Sequence, residues 1–488
     1  MKRISSAIAC LLSFCLLFSI CLSPFSISAK DALEPYQPPD VIDAEEQASR
    51  KYVGRYREEE PNLYSLVFQN EEGTHVMRVF PYPVKYIDAD GEERDISLSI
   101  SRRVDGSYGS GDHPFNLSFS AMLSEGVFLQ SHDILISFRP ENASGEGILS
   151  SDAREISYEA DSNTAYLYSL TCLGIKEDIL VRSYTGQTEY PFLLSTNGLH
   201  PVEEDGVCYL ADETGVVAAT IGEVLIVTSD GQNNAFGELS FETIEKDREY
   251  RLTIKLDADY LADERTTYPI RIDPTIQITS ASGSGAIGDI TINENAIYSG
   301  FQNKLIVGKD SGSHLSRALM QFPMLQFPVE FGPMITSASI EIEDILCQTT
   351  LIDIDCCEYK ETSPAWTESG TSWFSVGGNN CVGPVLDTLT VRTGLGNVSG
   401  NNQRYSFSIT SLAQKWADGV SSPSKGVVFK ASSESILSSG YTKTFGSINR
   451  ADKQPSLTIE YVTEAVYTIQ GVAGYWYADS SGTNGIKL

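Results

Sequence analysis

The sequence predicts an all-β fold of antiparallel strands with a single short helix. Three observations carry this. Aromatic residues are abundant, with 24 Tyr and 20 Phe, and long stretches of Ala, Leu, Glu and Lys are missing, a mixture that suits a pleated surface. Apolar residues recur at every second position, as in Ile134/Ile136/Phe138 and Leu252/Ile254/Leu256, the period of a strand with one buried face. Turn signals interrupt these runs about every ten residues, the spacing of antiparallel sheet structures.

The first thirty residues read as an export signal. Lys2 and Arg3 precede an apolar run from Ile4 to Leu22, Pro24 breaks it, and Ile27-Ser28-Ala29 ends on the small residue that signal peptidase requires. Cys21 follows Ile20, so the small residue that precedes a lipoprotein cysteine is absent. No later stretch approaches the roughly 20 consecutive apolar residues of a membrane span. The expectation is a signal peptide over 1–29, a mature chain from about Lys30, and a secreted, extracellular or cell-wall-associated location.

Residues 30–50 are rich in Pro and acid and poor in apolar side chains, which reads as a flexible leader. Leu66-Val67-Phe68, Glu71-Glu72-Gly73 and Val76/Arg78/Phe80 then read as a hairpin. Asp90-Gly91 turns the chain before Ile96, Leu98 and Ile100. The β-rich stretch 51–275 closes with Tyr268-Pro269-Ile270-Arg271-Ile272-Asp273-Pro274-Thr275. A Gly/Ser-rich strip, Thr279–Gly288, marks a boundary or first loop between it and a second domain over 276–462. Strand patterns resume at Leu305–Val307, Ile340/Ile342, Tyr405/Phe407/Ile409, Val427–Phe429 and Leu457/Ile459/Tyr461. The one helix lies over 410–418: Thr410 or Ser411 caps it, Leu412 and Trp416 share a face, and Gly419 ends it. Residues 463–488 are too few for a core of their own and read as a tail, the opening of a next domain, with Trp476 between Tyr475 and Tyr477 loosely packed.

Net charge is −30 over the whole sequence. Residues 30–275 hold 20 basic and 46 acidic side chains, and 276–462 hold 12 and 17. That field argues against nucleic acid, whose binding needs clustered Lys and Arg. It also opposes unassisted contact with anionic wall polymers. Six cysteines follow the signal: Cys172, Cys208, Cys347, Cys356, Cys357 and Cys381. None forms a CxxC pair, so zinc spacing is absent. The last four lie close enough in sequence to permit a bridge, which a chain of this size does not require.

Residues from about 290 to 462 carry an ordered set of motifs. These are Val307-Gly308, Arg317-Ala318-Leu319-Met320-Gln321-Phe322-Pro323, and Ile335-Thr336-Ser337-Ala338-Ser339-Ile340-Glu341-Ile342. Trp366 to Trp373, Phe407-Ser408-Ile409-Thr410-Ser411-Leu412-Ala413-Gln414-Lys415-Trp416, and Phe445-Gly446-Ser447 running to Pro455–Tyr461 complete it. In this order they resemble the DNRLRE domain, also classed as carbohydrate-binding module family 96, with Ser408 where Asp is usual. The resemblance implies a jelly-roll-like β-sandwich, a polysaccharide ligand and no catalysis. Tyr82-Pro83-Val84-Lys85-Tyr86 and Asp257–Thr275 resemble the leader region of wall-associated YD-repeat proteins. A structural or adhesive spacer, or the front end of such a protein, is therefore the alternative function.

Sugar binding lays the apolar face of a pyranose on an exposed aromatic ring fringed by polar groups. The sandwich offers Trp366, Trp373, Trp416, Tyr405 and Tyr441. Of these, Trp373 and Trp416 read as core, and Trp366, Tyr441 and Tyr405 are the candidate sugar contacts. No catalytic residues are expected. Lys309-Asp310-Ser311-Gly312 reads as a turn rather than a protease nucleophile loop, since a partnered histidine is missing. His75, His113, His132, His200 and His314 show no metal spacing. Asp88/Asp90/Asp95 and Asp257/Asp259/Asp263 could offer calcium oxygens, but neither fits the twelve-residue calcium loop and both read as turns. No cofactor is expected.

Overall fold

Alternating side chains make strands, and the computed structural model shows what those strands face. It describes residues 34–35, 39–131, 134–204, 207–231, 233–278, 285–294, 303–327, 333–345, 351–368, 370–391, 403–450, 453–463, 475–478 and 484–487. The signal peptide expected over 1–29 lies outside the described residues. So do the side chains of Tyr475–Ala478, a strand paired with Asn484–Lys487 in the tail. None of the described helices is long and apolar enough to cross a membrane.

The described strands form two sandwiches. In the first, an eight-stranded sheet runs in the order 238–245, 249–255, 189–196, 134–140, 127–131, 116–119, 108–110, 100–102. It faces an eleven-stranded sheet that includes 155–159, 164–171, 174–181 and 217–221. Phe119, Leu129, Ile136, Phe138, Phe192 and Leu194 from one sheet meet Ile156, Tyr168, Ile179 and Ile221 from the other in a single core. The period of two visible in the sequence is the signature of these inner faces.

In the second sandwich, one sheet runs 382–391, 352–359, 427–431, 315–321, 304–309, 441–446, with 288–293 also paired to 315–321. The opposing sheet runs 34–35, 52–55, 65–70, 75–79, 456–462, 334–343, 404–408. Four of those seven strands come from the front of the chain. The sequence reading divided the chain at 275/276; the sheets do not. Strand His75–Val79 pairs antiparallel with Ser456–Val462, with Met77 opposite Ile459 and Val79 opposite Leu457. Conversely, Ile276–Ile278 pairs with 174–181 and 217–221 and belongs to the first sandwich.

The hairpin 65–79 is buried on both faces. Val67, Met77 and Val79 enter the core of the second sandwich with Leu305, Met320, Ile340, Phe407 and Phe445. Leu66, Phe68 and Val76 point the other way, into a small core with Ile42, Tyr52, Phe80, Val84, Ile96 and Cys172. Cys172 comes from the turn joining 164–171 to 174–181, so this small core touches the first sandwich. A second tie is ionic. Glu223 of the first sandwich, 8% exposed, meets Lys304 at 2.5 Å and Arg450 at 3.4 Å. The Lys304 ammonium also sits 4.4 Å from the Phe236 ring centroid.

Three α-helices occur among the described residues, two more than expected: Ala44–Arg50, Ala258–Ala262 and Thr410–Ala417. The last is the expected one, ending before Gly419 at φ 67°. Its N-cap is Ile409 rather than Thr410 or Ser411, with no side-chain cap. The Thr410 hydroxyl instead accepts from the Ala338 amide at 3.0 Å, tying the helix to the sheet. The helix Ala44–Arg50 corrects the leader reading. Asp43 caps it by accepting from the Glu46 amide at 2.7 Å, and Arg50 reaches Glu341 and Glu460 at 2.9 and 3.3 Å.

Glu177, 2% exposed, accepts from the Tyr168 hydroxyl at 2.6 Å. Burial, reinforced by nearby Asp178 and Asp273, pushes its carboxyl up to about 8, against the Tyr168 hydrogen bond that pulls it down. A raised folded-state value means the folded chain holds a proton that the unfolded chain has released. This contribution to stability is present below the ordinary Glu range and is lost as pH rises through about 8. Glu177→Gln should therefore match the parent near pH 5 and gain on it toward pH 8, by at most about 1.4 kcal/mol per pH unit. Urea unfolding at several pH values checks this, and a pH-independent difference would refute it.

Candidate functional site

A sugar platform needs an exposed ring, and burial decides between the aromatic candidates. Residues 360–381 fold back over the outer face of the sheet and build a small core of Ile290, Ile292, Leu319, Tyr359, Trp366, Trp373, Val376 and Val428. Trp366 is 4% exposed there, and its indole N–H donates to the Lys425 carbonyl at 3.4 Å. Trp373 is equally buried, with the Arg317 guanidinium 3.9 Å from its ring centroid. Arg317 is held in turn by a two-point pair with Glu434, at 2.6 and 2.7 Å. Tyr405 packs edge-on against Phe445 at 6.0 Å, and its hydroxyl donates to Gln403 at 3.0 Å. Trp416 packs against Phe322 at 5.6 Å, in the core as expected.

Trp366 and Tyr405 are thus corrected as sugar contacts: their faces are covered by protein. Only Tyr441 of the three candidates presents its ring, at 38% exposure. It opens strand 441–446 opposite Lys309. Next to that pair, Gly308 has φ 130°, and a Cβ there would stand 2.2 Å from the Tyr441 carbonyl oxygen, so only glycine fits. The turn 310–314, whose Asp310 carbonyl accepts from the Gly440 amide at 3.0 Å, brings polar groups beside this strand start. Asp310 accepts from the His314 amide at 2.8 Å and faces the His314 ring at 3.1 Å. The Ser313 and Ser439 hydroxyls meet at 2.6 Å. The His314 amide, more than its ring, holds the Asp310 carboxyl below the usual range. This is the turn expected at Lys309–Gly312, and its aspartate serves the turn.

The acidic clusters also resolve into local structure. Asp88 accepts from the Asp90 and Glu92 amides, both at 2.9 Å, and Asp95 pairs with Arg55 at 2.7 Å. Asp257 caps the helix Ala258–Ala262, and Asp263 pairs with Arg265. The described cysteines, Cys172, Cys208, Cys356, Cys357 and Cys381, are buried free thiols. Burial pushes Cys357 and Cys381 up to about 11, which keeps them protonated. Cys347 lies outside the described residues.

Two concave sites that the sequence did not announce flank the segment 41–43, one against the second sandwich and one against the first. One cavity, of about 190 Å³, is lined by Glu46, Arg78, Phe80, Tyr82, Glu341 and Arg404, among others. The other, of about 210 Å³, is lined by Asp40, Leu98, Leu170, Cys172 and Leu173 among others, and shares Val41, Asp43, Tyr82 and Gln454 with the first. Arg78, 4% exposed, pairs with Glu46 at 2.8 Å and Glu341 at 3.4 Å. These groups converge from positions far apart in the chain. The signals available were an arginine between the apolar Met77 and Val79 and Tyr82 within the Tyr-Pro-Val-Lys-Tyr motif. The arrangement pairs the buried Arg78 guanidinium with two carboxylates and leaves room beside them for a polar guest.

No family model matches the chain. The tRNA nuclease WapA of Bacillus subtilis (strain 168) is 22% identical over 268 residues, 51% of this chain and 11% of that protein. The tRNA3(Ser)-specific nuclease WapA of Bacillus spizizenii is 21% identical over 236 residues, 44% of this chain and 10% of its own. The chain thus spans about a tenth of the length of the curated relatives it matches. Among solved structures, an exo-beta-1,3-galactanase from Phanerochaete chrysosporium with galactose is 8% identical, covering 79% of this chain and 100% of its own. Its TM-score of 0.13 carries no argument for fold or function.

Burial separates the rings experimentally. Trp366→Ala and Trp373→Ala should each lower unfolding stability by about 3–5 kcal/mol, the range for large-to-small changes in a core. Tyr441→Ala should stay within about 0.5 kcal/mol. Chemical denaturation of the three variants checks the assignment, and a large loss at Tyr441 with none at the tryptophans would reverse it.

Proposed function

We propose that this chain is a non-catalytic β-scaffold segment of an extracellular, wall-associated protein. The observation that carries the reading is the front-end hairpin, which completes the second sandwich and joins it to the first, a device for holding two bodies in a fixed relation. The N-terminal resemblance to wall-associated YD-repeat proteins and the distant likeness to the WapA proteins support it. The nuclease activity in those proteins' names is theirs, and a chain of net charge −30 repels a polyanion such as tRNA. His113 is buried against the Thr171 carbonyl at 2.9 Å, and His314 faces Asp310, so both are occupied structurally.

A second reading, weak binding of a neutral extracellular polysaccharide, rests on Tyr441 and the polar groups beside its strand start, Asp310, Ser313, His314 and Ser439. Charge favours a neutral glycan over a uronate or teichoic polymer, unless calcium bridges carboxylates. The purified chain, incubated with tRNA and with wall and polysaccharide mixtures, should release neither nucleotides nor reducing sugars; release of either refutes the scaffold reading. A glycan array at millimolar sugar separates the two readings. A pure scaffold retains nothing. Stacking persists in chelator and high salt, and Tyr441→Ala weakens it by about one to three kcal/mol, by analogy with ring–base stacking. Calcium-bridged binding is lost with chelator.

A further inference from the structure

The segment Asp40–Arg50 runs across the cleft between the hairpin and the first sandwich, and its attachment differs in kind from that of the strands beneath it. Its helix, Ala44–Arg50, buries no residue. Two aliphatic side chains, Ile42 at 5% exposure and the partly buried Val41, anchor it in the small core shared with Phe68, Phe80 and Cys172. The rest is polar. Asp40 accepts from the Leu98 amide at 2.7 Å and the Ser97 hydroxyl at 2.9 Å, and pairs with Arg154 at 2.8 Å. Glu46 pairs with Arg78 and accepts from the Tyr52 hydroxyl at 2.8 Å. Arg50 spans Glu341 and Glu460. Beneath lie strands whose Leu66, Val67, Phe68, Val76 and Met77 are fully buried within continuous ladders.

We infer that Asp40–Arg50 is a releasable strap that roofs the groove between the two sandwiches. Val41 and Asp43 line both cavities, so a single displacement of the strap opens the two together. The opened groove is charged at one end, at Arg78, Glu341 and Arg404, and apolar at the other, at Leu98, Leu170 and Leu173. Its resident is an acidic–aliphatic–acidic run, Asp40-Val41-Ile42-Asp43, leading into a helix with an acidic first turn. A segment held by two aliphatic contacts, one buried ion pair at Arg78 and otherwise partly solvated ion pairs opens more often than a core ladder unfolds.

Cys172 reports the opening. It lies 4% exposed beside Ile42, and burial pushes its thiol up to about 12, so the closed form resists alkylation. The full chain is treated with N-ethylmaleimide at pH 8 under native conditions, and the rate at each cysteine is read by peptide mass mapping. In Ile42→Ala, Cys172 should react about tenfold faster or more, through loss of the buried aliphatic anchor. Cys208, Cys356, Cys357 and Cys381 should keep the parent rates, because they report opening of the sheets. An unchanged Cys172, or all five rising together, overturns the strap. Hydrogen exchange on the unsubstituted chain decides independently should Ile42→Ala fail to fold. Amides of 44–51 should exchange at least tenfold faster than those of 65–79, and equal protection overturns the proposal.

Discussion

The pairing of His75–Val79 with Ser456–Val462 is the contact on which the rest of the structure depends. It joins positions nearly four hundred residues apart. The entropy of closing so long a loop grows only slowly with length, but it must be offset before any ladder bond forms. Burial on both faces of the hairpin is what offsets it. Met77 and Val79 enter the core of the second sandwich while Val76 and Phe80 enter the small core beside the first. Without the hairpin, the strand bearing Leu457, Ile459 and Tyr461 becomes an open edge.

The other features near the junction follow from that placement. The hairpin brings Arg78 beside Thr458 and Glu341 on the outer surface of the sheet, where a lone buried guanidinium would be prohibitive. Glu46 and Arg50 of the short helix complete the charge balance, which is why an acid-rich front segment docks there at all. Two cavities flank the segment 41–43. The Glu223–Lys304–Arg450 contact fixes the two sandwiches at a second point, and two separated attachments restrain rotation in a way that one cannot.

Much of the local structure was legible in the sequence, and the physical reason is periodicity. Strands with one solvated face announce themselves through alternation, as at Ile136/Phe138 and Leu252/Ile254. The helix at Thr410–Ala417 was visible through Leu412, Trp416 and Gly419. What escaped was the destination of each face. Leu66-Val67-Phe68 is a continuous apolar run, the mark of a strand covered on both sides, yet nothing local names the strand at 456–462 as its neighbour. The helix at Ala44–Arg50 had its own signature in Asp43 and Glu46, three apart at the cap, masked by the acidic, proline-rich composition around it. For the aromatic residues, the motif order located Trp366 and Trp373, but exposure depends on residues 360–381 folding back over the sheet. Only Tyr441, following Ser438-Ser439-Gly440 in a turn, kept the exposure that its surroundings suggested.

The most direct test of this account is the folding of residues 276–462 alone, compared with a chain spanning 39–462. If the hairpin is integral to the second sandwich, 276–462 alone should lack a cooperative unfolding transition and should bind a hydrophobic dye, whereas 39–462 should unfold cooperatively and leave the dye free. A cooperative transition in isolated 276–462, at the same midpoint as in the longer chain, would contradict the account.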